Sequence, residues 1–176
     1  MRIERSQTAA IVIDYQEKLV PVMHEKEKLI QNSSILLAGL ELLGIPMVLT
    51  QQYTKGLGMT VEEITEATNT KEYVDKISFS ALECVKEQLK DKKFVIVCGI
   101  EAHICVLQTV IDLSNKGFVP VVVEDCISSR KPNDKKIAMK RMRDEGAILT
   151  TYESLLFELL KVAGTEESKR IQRLIK

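Results

Sequence analysis

Phe94-Val95-Ile96-Val97-Cys98-Gly99-Ile100-Glu101-Ala102-His103-Ile104-Cys105 decides the fold. Its first five residues are apolar without alternation, which suits a strand covered on both faces. The residues from Gly99 then turn sharply into a helix, with Cys105 near its first turn. Outward from this stretch, three further runs have the same character: Ala9 to Ile13, Met47 to Gln51 and Phe118 to Val123. A weaker one covers Ala147 to Thr150. Between the runs lie apolar residues at helical spacing: Leu29, Leu36, Leu40 and Leu43; Leu82, Val85 and Leu89; Val106, Val110 and Leu113; Leu155, Leu159 and Val162. Gly44, Gly117 and Gly146 each stand between a helix end and the next strand, where a left-handed residue is needed. Strand and helix alternating with short connections predict an α/β chain: a three-layer, Rossmann-like open parallel sheet with helices on both faces.

A length of 176 residues fits a single domain, 1–176, with enough apolar content for its own core. Its C-terminal segment 165–176 carries Ile171, Leu174 and Ile175 at helical spacing, a stripe that docks on its own domain or contacts a neighbouring subunit. Lys plus Arg equal Asp plus Glu at 25 each, so neither nucleic acid nor an anionic membrane surface is an expected partner. A small-molecule substrate is expected. The apolar run near the N-terminus is too short for a signal peptide or a membrane span, and the expected location is cytoplasmic. Cys84, Cys98, Cys105 and Cys126 form no CxxC pair and read as separate thiols. No GxGxxG follows the first strand and no GxxxxGK[ST] occurs, so nucleotide cofactors have no support. The long stretch Gln52 to Thr70 reads as irregular, either a loop over a site or an oligomer contact.

Ligands of open parallel sheets bind beyond the carboxyl ends of the strands. Asp14 ends the first run, Gln51, Gln52 and Tyr53 the second, Gly99 to Cys105 follow the third, and Glu124 to Cys126 the fourth. Helix-start amides beside Cys105 would favour a thiolate. Taken alone, each candidate also has a plain structural reading: Cys105 as a buried thiol, Asp14 as a helix cap or strand end, and Lys76 as a solvated loop lysine just before a helix.

Together the residues resemble the isochorismatase-like cysteine hydrolases, the superfamily that includes nicotinamidases and N-carbamoylsarcosine amidases. The resemblance runs from about Thr8 to Leu160. It rests on Asp14 at the end of the first strand, on Lys76 with Ser80 and Ala81, and on the turn from Gly99 to Cys105. Val123 to Arg130 and Gly146 to Ser154 share it. The resemblance implies a catalytic triad of Asp14 as general base, Lys76 as charge-holding cation and Cys105 as nucleophile. It also implies a cis peptide between Ile100 and Glu101, with an oxyanion hole from the backbone amides of Glu101 and Cys105. The implied activity is hydrolysis of a small amide, imide or carbamoyl compound through a thioester, in a homo-oligomer.

Nicotinamidases carry an Asp-x-His metal motif after the second strand, where this chain has Gln51-Gln52-Tyr53-Thr54, so no metal and no cofactor is expected. His24 and His103, without a nearby second ligand, read as ordinary polar residues. Tyr53, His103 and Arg130 are candidate pocket residues, although the setting Ser129-Arg130-Lys131-Pro132 favours a surface arginine, and Cys126, close after a strand end, is a neighbour of the site that takes no part. Two rivals stay open: an oligomeric binding or scaffold protein with a reactive cysteine but little turnover, and vinyl-ether hydrolysis of the isochorismatase type.

Overall fold

The computed structural model describes residues 1–176. Six strands form one parallel sheet: β1 (Thr8–Ile13), β2 (Met47–Gln52), β3 (Val74–Lys76), β4 (Phe94–Ile100), β5 (Val119–Ser128) and β6 (Ile148–Thr150), in the order β3-β2-β1-β4-β5-β6. β1 and β4 at its centre are buried along their whole length. Their side chains alternate between two apolar cores, because successive strand residues point to opposite faces. Ala10, Val12, Ile96 and Cys98 join one core with α1 (Lys26–Leu42) and the later α7 (Tyr152–Leu160) and α8 (Glu166–Ile175). Ala9, Ile11, Val95 and Val97 join the other with α4 (Leu82–Val85), α5 (Leu107–Asn115) and α6 (Pro132–Asp144). The expected layered α/β architecture is therefore present, and the uninterrupted apolar runs are explained by burial on both faces.

Several local expectations are corrected. Lys76 does not sit in a loop: it ends β3, a three-residue edge strand held by backbone pairing to β2. The stretch after β2 is not irregular throughout, since it contains two short helices, α2 (Thr54–Leu57) and α3 (Glu62–Ala67), the latter anchored by buried Ile64. The helix expected across Leu82 to Leu89 breaks into α4 and a 3-10 turn, Lys86–Leu89. Val162 lies beyond the end of α7 and is exposed. Glu124, Asp125 and Cys126 fall within β5, where its pairing with β4 shifts register between Val97 and Gly99, rather than after the strand.

The segment 165–176 forms α8, capped by Thr165, whose hydroxyl accepts the Ser168 N–H at 3.0 Å. Ile171 is fully buried in the α1-side core, with Leu174 and Ile175 packed at its edge, so this helix sits on its own chain. No helix is long and apolar enough to cross a membrane.

Candidate active site

The carboxyl ends of β1, β2, β3 and β4 converge on one cluster. Asp14 follows β1 in a left-handed conformation, φ 55°, which a short polar side chain tolerates better than most. Gly99, paired with Ile13, has φ 132°, and a Cβ there would lie 2.2 Å from the Ile13 carbonyl oxygen. Only glycine lets β4 approach β1 this closely just before Asp14.

The Asp14 carboxylate is fully buried, and its Oδ1 accepts the Thr50 hydroxyl at 2.8 Å. Its Oδ2 lies 2.7 Å from the Lys76 ammonium, both side chains being essentially inaccessible to solvent. Yet Oδ2 accepts no hydrogen bond. The reason is visible on the lysine, which donates to Gln52 Oε1 at 2.7 Å, Phe79 O at 3.0 Å and Ser78 O at 3.2 Å. Three acceptors use the three ammonium protons, so the contact with Asp14 is one of charge, and Oδ2 retains acceptor capacity.

Cys105 lies in a wide turn, Ala102–Val106, ahead of α5, in which the Val106 N–H reaches back five residues to Glu101 O at 3.3 Å. Such widened turns are frequent at functional sites. Cys105 is 6% exposed, and both Asp14 and Lys76 act on its thiol. Burial first, and the Asp14 charge second, push it up to about 12, against a smaller downward pull from Lys76. Where the helix start was expected to favour a thiolate, burial and the Asp14 charge favour the neutral thiol. Thr109 braces the turn, donating to Cys105 O at 2.7 Å and accepting the Ala81 N–H at 2.9 Å.

The Ile100–Glu101 peptide is cis. The Glu101 carboxylate accepts the Arg130 backbone N–H at 3.1 Å and the Arg130 Nε at 3.1 Å, while the Glu101 N–H has no acceptor within the protein. Arg130 is thus engaged by the chain's own carboxylate, with its side chain 59% exposed. His103 Nδ1 lies 2.9 Å from Ser129 Oγ. Tyr53 is exposed at the end of β2, and its N–H donates to Lys76 O at 2.9 Å. Cys126 is not near the site: it lies in the α1-side core with Cys98, whereas Cys105 belongs to the opposite one. A cleft of about 320 Å³ between α1, the end of β5 and α6, lined by Lys28, Glu124, Asp125, Ser129 and Lys135 among others, includes none of Asp14, Lys76 or Cys105. Its lining also includes Ile127 and Ser128, which pair with Gly99 and Ile100 at the end of β4, and Ser129, the partner of His103.

Residues 8–154 match the model of the isochorismatase domain. The chain belongs to the isochorismatase family of hydrolases. It is 37% identical over 178 residues to isochorismatase domain-containing protein 2 of Danio rerio, covering 99% of this chain and 89% of that one. It is also 37% identical over 174 residues to the secreted isochorismatase effector Isc1 of Phytophthora sojae, covering 94% and 82%. Among solved structures, the MAR1 ribonuclease of Caenorhabditis elegans superposes with a TM-score of 0.94 at 38% identity, covering 99% of this chain and 92% of that one.

Within this family fold, the sequence alone did not reveal Thr50, which holds the carboxylate, and it offered Gln52 only as a polar residue at a strand end, not as the partner of the Lys76 ammonium. Gln52 carried a usable signal, since it ends a strand at the edge where ligands bind. Thr50 carried none, because a threonine inside a strand is ordinary.

Proposed function

We propose that this family member is a metal-independent cysteine hydrolase of small amide-like substrates, with Asp14, Lys76 and Cys105 as its catalytic groups. The observation that carries this reading is Asp14 Oδ2: buried, charge-paired and without a hydrogen bond, it is an acceptor open to the thiol proton. As Sγ attacks the substrate carbonyl carbon, that proton passes to Asp14, so no free thiolate need accumulate on a thiol held near 12. The developing oxyanion meets the amides of Glu101 and Cys105, the former being free of any protein acceptor. Collapse expels the amine, which takes the proton from Asp14. Water, deprotonated by Asp14, then cleaves the thioester and returns the proton to sulfur. Lys76, 2.7 Å from Asp14, offsets the charge that develops there. Gln51 and Gln52 support a metal-free site, since their side chains are bound to Thr60, Thr54, Lys76 and Ile77.

Tyr53, His103 and Arg130 line the approach in this reading. The four free cysteines fit a reducing cytoplasm. Exposed Tyr53, Ile77 and Phe79 beside the site support a homo-oligomer of one-domain protomers. The net charge of +0 and the buried lysine offer no cationic track for a nucleic-acid backbone.

A panel of small amides, imides and carbamoyl compounds, read by mass spectrometry, tests the proposal. An acyl adduct on Cys105 that turns over, and is lost in Cys105→Ala, is expected. Turnover retained in Cys105→Ala points to vinyl-ether chemistry and overturns the covalent route; RNA cleavage lost in the same variant overturns the amide reading. One observation favours the second reading, a binding or scaffold protein with little turnover: Cys105 is 6% exposed, and burial pushes its thiol up. An adduct that forms and never hydrolyses supports that reading.

A further inference from the structure

Gln52 and Lys76 are paired residues at the ends of neighbouring strands. The Gln52 side chain is held at both ends: Oε1 accepts from Lys76 Nζ at 2.7 Å, and Nε2 donates to Ile77 O at 2.7 Å. A flipped amide would set its NH2 against an ammonium and its oxygen against a carbonyl, so the orientation is unique. The Gln52 backbone is fixed in turn. Its N–H donates to Gln16 Oε1 at 2.7 Å, and its carbonyl accepts from Gln16 Nε2 at 3.0 Å. Gln16, fully buried and two residues after Asp14, also donates to Gly58 O at 2.8 Å. An unbroken path of hydrogen bonds and backbone therefore runs from the Asp14 turn through Gln16 and Gln52 to the Lys76 ammonium.

We propose that Gln52 is a positioning residue, acting through Lys76, whose neutral side-chain oxygen fixes the ammonium between Asp14 and Cys105. The inference rests on the catalytic reading of the Asp14–Lys76–Cys105 cluster. Neutrality is part of the argument. A carboxylate at position 52 would offer Lys76 a second anionic partner and draw it from Asp14, whereas an amide holds position without competing for charge. Lys76 has no fourth proton with which to bind Asp14, so its distance from Oδ2 is set by the three acceptors around it. Two of these are main-chain carbonyls, and Gln52 is the only side chain among them.

The test is alkylation of Cys105 by iodoacetamide, followed by mass spectrometry from pH 6 to 10 in the intact protein, with thermal unfolding measured in parallel. Gln52→Met is expected to slow alkylation about tenfold below the thiol's own ionisation range, equivalent to an upward displacement of the pH profile by about one unit. Introduced into Lys76→Met, the same substitution is expected to change the rate less than about twofold, because a residue acting through Lys76 has nothing left to position. Gln52→Asn, which withdraws the amide by one methylene, provides the same reading where the Met variant fails to fold. A Gln52 variant that unfolds earlier yet keeps the wild-type pH profile, alongside Lys76→Met with a displaced profile, overturns the proposal and leaves the triad standing. An unmoved profile in Lys76→Met overturns both.

Discussion

Lys76 Nζ stands 2.7 Å from Asp14 Oδ2 with no hydrogen bond between them, because the lysine's protons are given to Gln52, Ser78 and Phe79. The two partners are therefore unequal. Without Asp14 the ammonium keeps three acceptors; without Lys76 the buried carboxylate keeps only Thr50. Lys76→Met is expected to cost about 3–5 kcal/mol, the range for stranding a buried charge. Asp14→Asn is expected to cost less, about 1–2 kcal/mol. Urea unfolding at pH 7.5 measures both, and equal losses would contradict the asymmetry.

Gly99 and Gly117 both have positive φ, but their surroundings differ. A Cβ at Gly99 meets the Ile13 carbonyl at 2.2 Å, whereas one at Gly117 meets nothing within 4 Å. Gly117→Ala is expected to lose about 1 kcal/mol from backbone strain alone, and Gly99→Ala more than about 3 kcal/mol, with displacement of Asp14. Unfolding midpoints, together with Cys105 alkylation in the Gly99 variant, check the pair.

Cys98 and Cys105 are both pushed up from an ordinary 9.0 to about 12 by burial. Well below 9.0 both are protonated whether the chain is folded or not, and they add no pH dependence. As pH rises from 9.0 towards 12, the unfolded chain releases these protons and the folded one does not, so stability falls. Cys105→Ala removes one of the two groups. Its unfolding free energy is expected to decline less steeply than wild type over that interval, as measured by urea titration at several pH values.

Ile171 is fully buried, whereas Leu174 on the same helix is only partly so. Ile171→Ala is expected to cost about 2–5 kcal/mol, and Leu174→Ala distinctly less, if α8 is an integral part of this fold. Equal, small effects with a change in oligomeric state on size-exclusion chromatography would instead make α8 a contact between subunits.

Much of the fold was legible because its strongest signals are local. The runs around Ile11 and Ile96 show no polar alternation since both faces of β1 and β4 are covered, and Gly44, Gly117 and Gly146 take positive φ where helices end. β3 was not legible. Three residues, Val74, Asp75 and Lys76, have no periodicity to read, and the strand exists by virtue of its backbone bonds to β2. The broken helix at Leu82 to Leu89 and the helices inside Gln52 to Thr70 were lost for the same reason: each is only a turn or two long.

The sequence by itself determined the alternation of strand and helix, the family, and the order in which Asp14, Lys76 and Cys105 arise along the chain. Those properties depend on neighbouring residues and their spacing. Only the tertiary structure decided that Lys76 lies on a strand, that its protons go to Gln52, Ser78 and Phe79, that Arg130 meets Glu101, and that burial raises the Cys105 thiol. Desolvation and charge proximity are sums over groups far apart in the chain, and no local pattern of residues contains them.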